Sequence, residues 1–128
     1  MSLKLATYRC ASPRREDEGL RIGAVRFLPR GVKKEDYARL GYFDVWFPLL
    51  APSKEAVSAY KKSPDKKEAW KRFARQYRKE IDSNTDARQA VKLLAAIAER
   101  IPIAIGCYCE DEELCHRSIL KKLIEDAR

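Results

Sequence analysis

Ile101–Cys109 (IPIAIGCYC) runs for nine residues without a charge. An apolar run of that length reads as a strand buried on both faces, in the middle of a partly parallel sheet. It is too short to cross a bilayer, which takes about twenty such residues. The rest of the chain must therefore supply the layers that cover it. Leu3–Arg9 (LKLATYR) alternates apolar and polar residues and reads as a first strand. Ala11–Gly19 is a charged loop, and Leu20–Leu28 (LRIGAVRFL) reads as a second strand ended by Pro29-Arg30-Gly31.

Helical signals follow. Lys33–Leu40 reads as a short helix, and Tyr42–Leu50 as a strand or a buried irregular segment. Ser53 reads as the N-cap of a helix through Tyr60. Ser63-Pro64 reads as an N-cap with proline at the first helical position. The helix after it puts Trp70, Phe73, Ala74, Tyr77 and Ile81 on one face. Lys67, Lys71, Arg72, Arg75, Arg78 and Lys79 lie on the other. Ser83–Arg100 places Ala90, Leu93, Leu94 and Ile97 at helical spacing, and Cys115–Ala127 turns Ile119, Leu120, Leu123 and Ile124 inward. Trp46, Trp70, Phe73 and Tyr77 read as core. This order predicts a single small α/β domain over residues 1–128, with a partly parallel sheet and helices packed on it.

The charge balance is 27 Lys and Arg against 19 Asp and Glu, a net +8. That excess favours anionic partners: a small anionic ligand, or nucleic acid through the basic stretch Lys61–Lys79. A solvated basic surface is the plainer account of the same charges. Neither a membrane partner nor a membrane span is expected. Met1–Cys10 has no apolar secretory core, because Lys4 and Arg9 interrupt it. A cytoplasmic protein with reduced thiols is expected.

The chemistry concentrates where the apolar strand runs out. Three of the four cysteines (Cys107, Cys109 and Cys115) fall within nine residues, and the chain's only histidine, His116, follows at once beside Arg117. Ligands in open α/β sheets bind beyond the carboxyl ends of strands. A helix N-terminus favours anions and activates thiols. Three readings stay open. In a catalytic site, Cys107 or Cys115 is the nucleophile, His116 the acid or base, Arg117 part of an anion clamp, and no cofactor is needed. Arg26 and Arg30, near the end of the second strand, would complete that clamp as substrate-binding residues. In a metal site, Cys107, Cys109, Cys115 and His116 hold zinc, although C-x-C-x5-C-H is an uncommon spacing and adjacent helical ligands diverge by about 100°. In a structural reading the cysteines are small core residues. A thiol phosphatase or sulfurtransferase loop is excluded, because Glu110–Glu113 puts four carboxylates where a glycine-rich phosphate cradle would be. There is no C-x-x-C, so a thioredoxin-type site is not expected.

These motifs carry a family likeness. Cys107-x-Cys109-x-Asp111, with Cys115-His116-Arg117-Ser118-x-Leu120, resembles the C-terminal signature of domain-of-unknown-function family 488. Gly19-Leu-Arg21 and Arg26-Phe-Leu-Pro29-Arg30-Gly31-Val32 resemble the "DRLWPRG" segment of its YeaO-like branch. Leu50-Ala-Pro-Ser53 resembles that branch's "LAPS", and Trp70, Phe73 and Tyr77 its "W..F...Y" helix. The resemblance implies a small cytoplasmic α/β domain and no known activity. Val25 and Leu28 stand where the branch has aspartate and tryptophan, so no role of that aspartate carries over.

Overall fold

A computed structural model describes residues 3–108 and 115–128. Four parallel strands, β1 (Leu5–Arg9), β2 (Leu20–Gly23), β3 (Val45–Trp46) and β4 (Ile103–Cys107), form one sheet of order β1-β4-β2-β3. The apolar run is thus an inner strand, and all five residues of β4 are buried. Register sets Arg9 opposite Cys107 on one side and Gly23 opposite Gly106 on the other.

Four helices cover one face: α1 (Lys54–Lys62), α2 (Lys66–Asp82), α3 (Thr85–Ala98) and α4 (His116–Asp126). Ile103 and Ile105 of β4 join Ile22, Phe73, Tyr77, Leu94, Leu120 and Ile124 in one apolar cluster. The helices form where the periodicity puts them, each apolar stripe turned to the sheet. Ser53 caps α1 by accepting from the Ala56 N–H at 3.1 Å. Asn84 caps α3 by accepting from Ala87 at 3.2 Å.

Loops rather than helices close the opposite face. Tyr8 lies flat against Gly106, and a Cβ at that glycine would collide with the ring. Its hydroxyl donates to the Tyr42 carbonyl at 2.7 Å. The Arg21 guanidinium sits 4.2 Å from the same ring centroid and is 0% exposed. It donates to Glu18 at 2.5 and 3.1 Å and to the carbonyls of Ser12, Pro13 and Gly41 at 2.6–3.0 Å. One buried ion pair thereby ties the 12–18 and 37–44 loops onto the sheet.

Several expectations are corrected. The second strand stops at Gly23 rather than Leu28, because side chains take the carbonyls beyond it. His116 takes that of Ala24, Trp46 that of Val25 and Tyr108 that of Phe27. Lys33–Leu40 forms only a 3-10 turn at Lys34–Asp36. α2 is capped by Asp65, which accepts from Glu68 at 3.2 Å, so Ser63-Pro64 precedes the cap instead of making it. Leu93 points outward, 59% exposed, because Ala90, Val91, Leu94 and Ala98 already fill the inner face of α3. Trp46 lies on the edge strand and is 41% exposed rather than core.

The buried pair sets a stability test. Arg21→Met leaves the buried Glu18 carboxylate with only the more exposed Arg15 as a charged partner, and is expected to cost about 2–4 kcal/mol in urea denaturation. Adding Glu18→Leu should recover part of that loss. Burial pushes the Glu18 carboxyl up, but the Arg21 and Arg15 hydrogen bonds and charges outweigh it and hold it below the usual range. The pair's contribution is therefore present above the unfolded carboxylate value, about 4.3, and fades as pH falls through the lowered folded value.

Candidate functional site

The carboxyl end of β4 and the amino end of α4 meet at Cys107, Cys115 and His116. All three are buried, and their ligating atoms lie within 4.8 Å of one another. Cys115 is the N-cap of α4 with extended backbone (φ −140°, ψ 146°), and His116 is the first helical residue. The change of backbone conformation between them removes the 100° divergence expected of neighbours on a helix, and both side chains reach one point. Cys115 Sγ lies 3.8 Å from His116 Nδ1, and the Cys107 and Cys115 sulfurs are joined as a disulfide. Their Cα atoms are 7.8 Å apart, past the limit of about 7 Å beyond which a disulfide requires backbone movement.

The orientation of His116 is fixed from outside the cluster. Its Nε2 lies 2.6 Å from the Ala24 carbonyl. A carbonyl only accepts, so Nε2 carries the proton and Nδ1 presents a lone pair towards the sulfurs. The Tyr77 ring meets the imidazole edge-on at 5.5 Å, and the Tyr77 hydroxyl is anchored on the Leu50 carbonyl at 2.6 Å. Burial pushes the imidazole down to about 4; the Ala24 hydrogen bond works against this and the Arg117 charge adds to it. His116 is neutral at physiological pH. Arg117, also buried, brings Nη1 to 3.2 Å from Cys107 Sγ.

These groups line the deep end of a cavity of about 570 Å³. Trp70, Phe73, Tyr60, Phe27 and Tyr108 give it aromatic walls, and the exposed Lys54, Lys61 and Lys62 stand at its rim. Arg26 lies in the wall, with Nε and Nη2 donating to the carbonyls of Pro52 and Ala51 at 3.0 and 3.1 Å. Of the residues singled out in the sequence, Cys107, Cys115, His116 and Arg26 line this one cavity, and Arg117 reaches it through Cys107. Arg30 is exposed and does not line it. Cys109 and the acidic segment that follows lie outside the described residues.

Residues 5–128 match the family described as the active DUF488-N3 subclade. The chain belongs to that family. The membership agrees with the likeness carried by the Cys-His-Arg and Pro-Arg-Gly motifs. No curated protein and no solved structure shows a significant match. Among the described residues of this DUF488-N3 chain, no helix is long and apolar enough to cross a membrane.

Sequence reasoning missed two parts of the site. The aromatic wall was hidden because Trp70 and Phe73 share a helical face with true core residues; only half-burial of Trp70 separates the roles. The Ala24 carbonyl, which sets the imidazole tautomer, has no signature in side-chain identity. Cys10 lies beside the site, where its backbone N–H donates to the Cys107 carbonyl at 2.8 Å. Burial raises its thiol to about 11, against the smaller opposing effects of Tyr8, Arg21 and Arg117. In the folded protein Cys10 is therefore expected to resist iodoacetamide at neutral pH and to react once denaturant is added. Intact-mass analysis reads this directly, and prompt labelling of Cys10 without denaturant contradicts the burial.

Proposed function

We propose that this DUF488-N3 protein is a cytoplasmic enzyme acting on a small anionic, nucleotide-like substrate. The observation that carries the reading is the single cavity joining three kinds of surface. Its walls offer aromatic faces for a planar base. Its rim carries Lys54, Lys61 and Lys62, with Arg26 nearby, for a phosphate or similar anion. Its deep end holds the buried Cys107, Cys115 and His116. A volume of about 570 Å³ lies inside the range of small-molecule sites, about 300–1,000 Å³. The substrate then enters base first, and the bond to be changed meets the sulfur and imidazole groups away from bulk water.

A second reading rests on α2. Lys67, Lys71, Arg75 and Arg78 form an exposed basic face, on which a polyanion backbone can lie. The basic stretch Lys61–Lys79 meets the cavity rim at Lys61 and Lys62, but Lys71 and Arg75 do not line the cavity, so the two readings separate experimentally there.

Nucleoside monophosphates are expected to quench Trp70 fluorescence in a Trp46→Phe background. Lys61→Glu combined with Lys62→Glu should weaken binding about tenfold or more, about 1.4 kcal/mol, whereas Arg30→Glu should leave it unchanged. Absence of quenching at millimolar ligand overturns the enzyme reading. Retention on an RNA column that is lost in Lys71→Glu/Arg75→Glu, but kept in the Lys61/Lys62 variant, favours the polyanion face.

A further inference from the structure

We propose that Cys107, Cys115 and His116 form a three-ligand zinc site whose fourth position faces the cavity. The donor set is two sulfurs and one imidazole nitrogen, the types zinc selects, and two thiolates balance its charge. Donors around one tetrahedral zinc lie about 3.8 Å apart for two sulfurs and about 3.6 Å apart for a sulfur and a nitrogen, from bond lengths of about 2.3 and 2.0–2.1 Å. The Cys115 Sγ to His116 Nδ1 distance is 3.8 Å. The three donors come from a strand end, a helix N-cap and the first helical residue, and they converge in a buried pocket.

The surroundings have the arrangement of a supporting layer. A ligating histidine ordinarily donates its other ring N–H to a carbonyl or carboxylate, which fixes ring and tautomer. Here Nε2–H goes to Ala24 and Nδ1 is left for the ion. Arg117 Nη1, 3.2 Å from Cys107 Sγ, supplies an N–H donor to a thiolate that already shares its charge with the metal. The structure joins the two sulfurs as a disulfide across a Cα separation of 7.8 Å, outside the usual range of such bonds, so zinc takes the pair as two thiols, reduced by an external thiol and with the sulfurs moved apart. With three ligands among the described residues and the cavity beside them, the ion keeps a position for water or substrate, as catalytic zinc sites do. Only the significance of that open position rests on the substrate reading; the metal site itself does not.

The test uses the full chain purified in an external thiol and without chelator. About one zinc per chain is expected by elemental analysis. Removal by chelator should be reversed by added zinc, and cobalt substitution should give thiolate charge-transfer bands with tetrahedral d–d absorption. Cys107→Ser, Cys115→Ser and His116→Asn should each weaken zinc binding tenfold or more, while Cys10→Ser keeps it. Chelation and re-addition on the wild-type chain decide the matter even if a variant fails to fold. Absence of stoichiometric zinc, a cobalt spectrum without thiolate bands, or a Cys107–Cys115 disulfide that persists in the external thiol overturns the site. Loss of zinc in Cys109→Ser overturns the open fourth position. Zinc retained without nucleotide binding rejects only the substrate reading, and nucleotide binding without zinc rejects only the metal.

Discussion

The Arg21 guanidinium is the constraint on which the sheet depends. Four α-helices give β4 one apolar layer, and among the described residues the other side is covered by loops. A fully buried arginine is tolerated there because its donors meet Glu18 and three backbone carbonyls while its face rests on Tyr8. The carbonyls belong to two loops that would otherwise carry unsatisfied polar groups against the sheet. Closing this face keeps water from the end of β4, and so lets Cys107 and Cys10 sit buried side by side.

A second consequence concerns where β2 ends. The carbonyls that would extend the strand past Gly23 are bound by His116, Trp46 and Tyr108. The chain leaves the sheet at the level where β4 also ends, and the cavity occupies the space beyond both. Strand termination, imidazole orientation and cavity wall are one event. Arg26 and Phe27, just past that point, become wall residues rather than strand residues.

This explains what was legible in the sequence. The inner position of β4 followed from an uninterrupted apolar run, and the helix phases from a 3.6-residue period. Both are local patterns. The cluster of Cys107, Cys115, His116 and Arg117 was legible because a strand end and a helix start are close in the chain. Arg21 and Glu18 were not, since charged residues in a strand and loop read as solvent-facing until the loops that cover them are known. The true end of β2 was hidden for the same reason: its competing hydrogen bonds come from residues 21 to 92 positions away. Ser63-Pro64 misled because Asp65 follows at once and accepts the Glu68 N–H itself.

The caps show where the sequence forgoes stability. Ser53, Asp65 and Asn84 each accept a backbone N–H at the start of α1, α2 and α3. At α4 the equivalent place is held by Cys115, which makes no side-chain capping bond. A good cap contributes about 1 kcal/mol, and a serine there would provide one. Ser118 does not make up the deficit, since its hydroxyl donates to the Cys115 carbonyl at 2.8 Å and accepts no helix N–H there. The sulfur turns instead towards Cys107 and His116, inside the fold. A residue that leaves helix donors uncapped to place a soft, deprotonatable atom in a buried cluster is positioned for that atom's chemistry. The same holds for His116, whose burial suppresses its charge but leaves its lone pair aimed at the sulfurs.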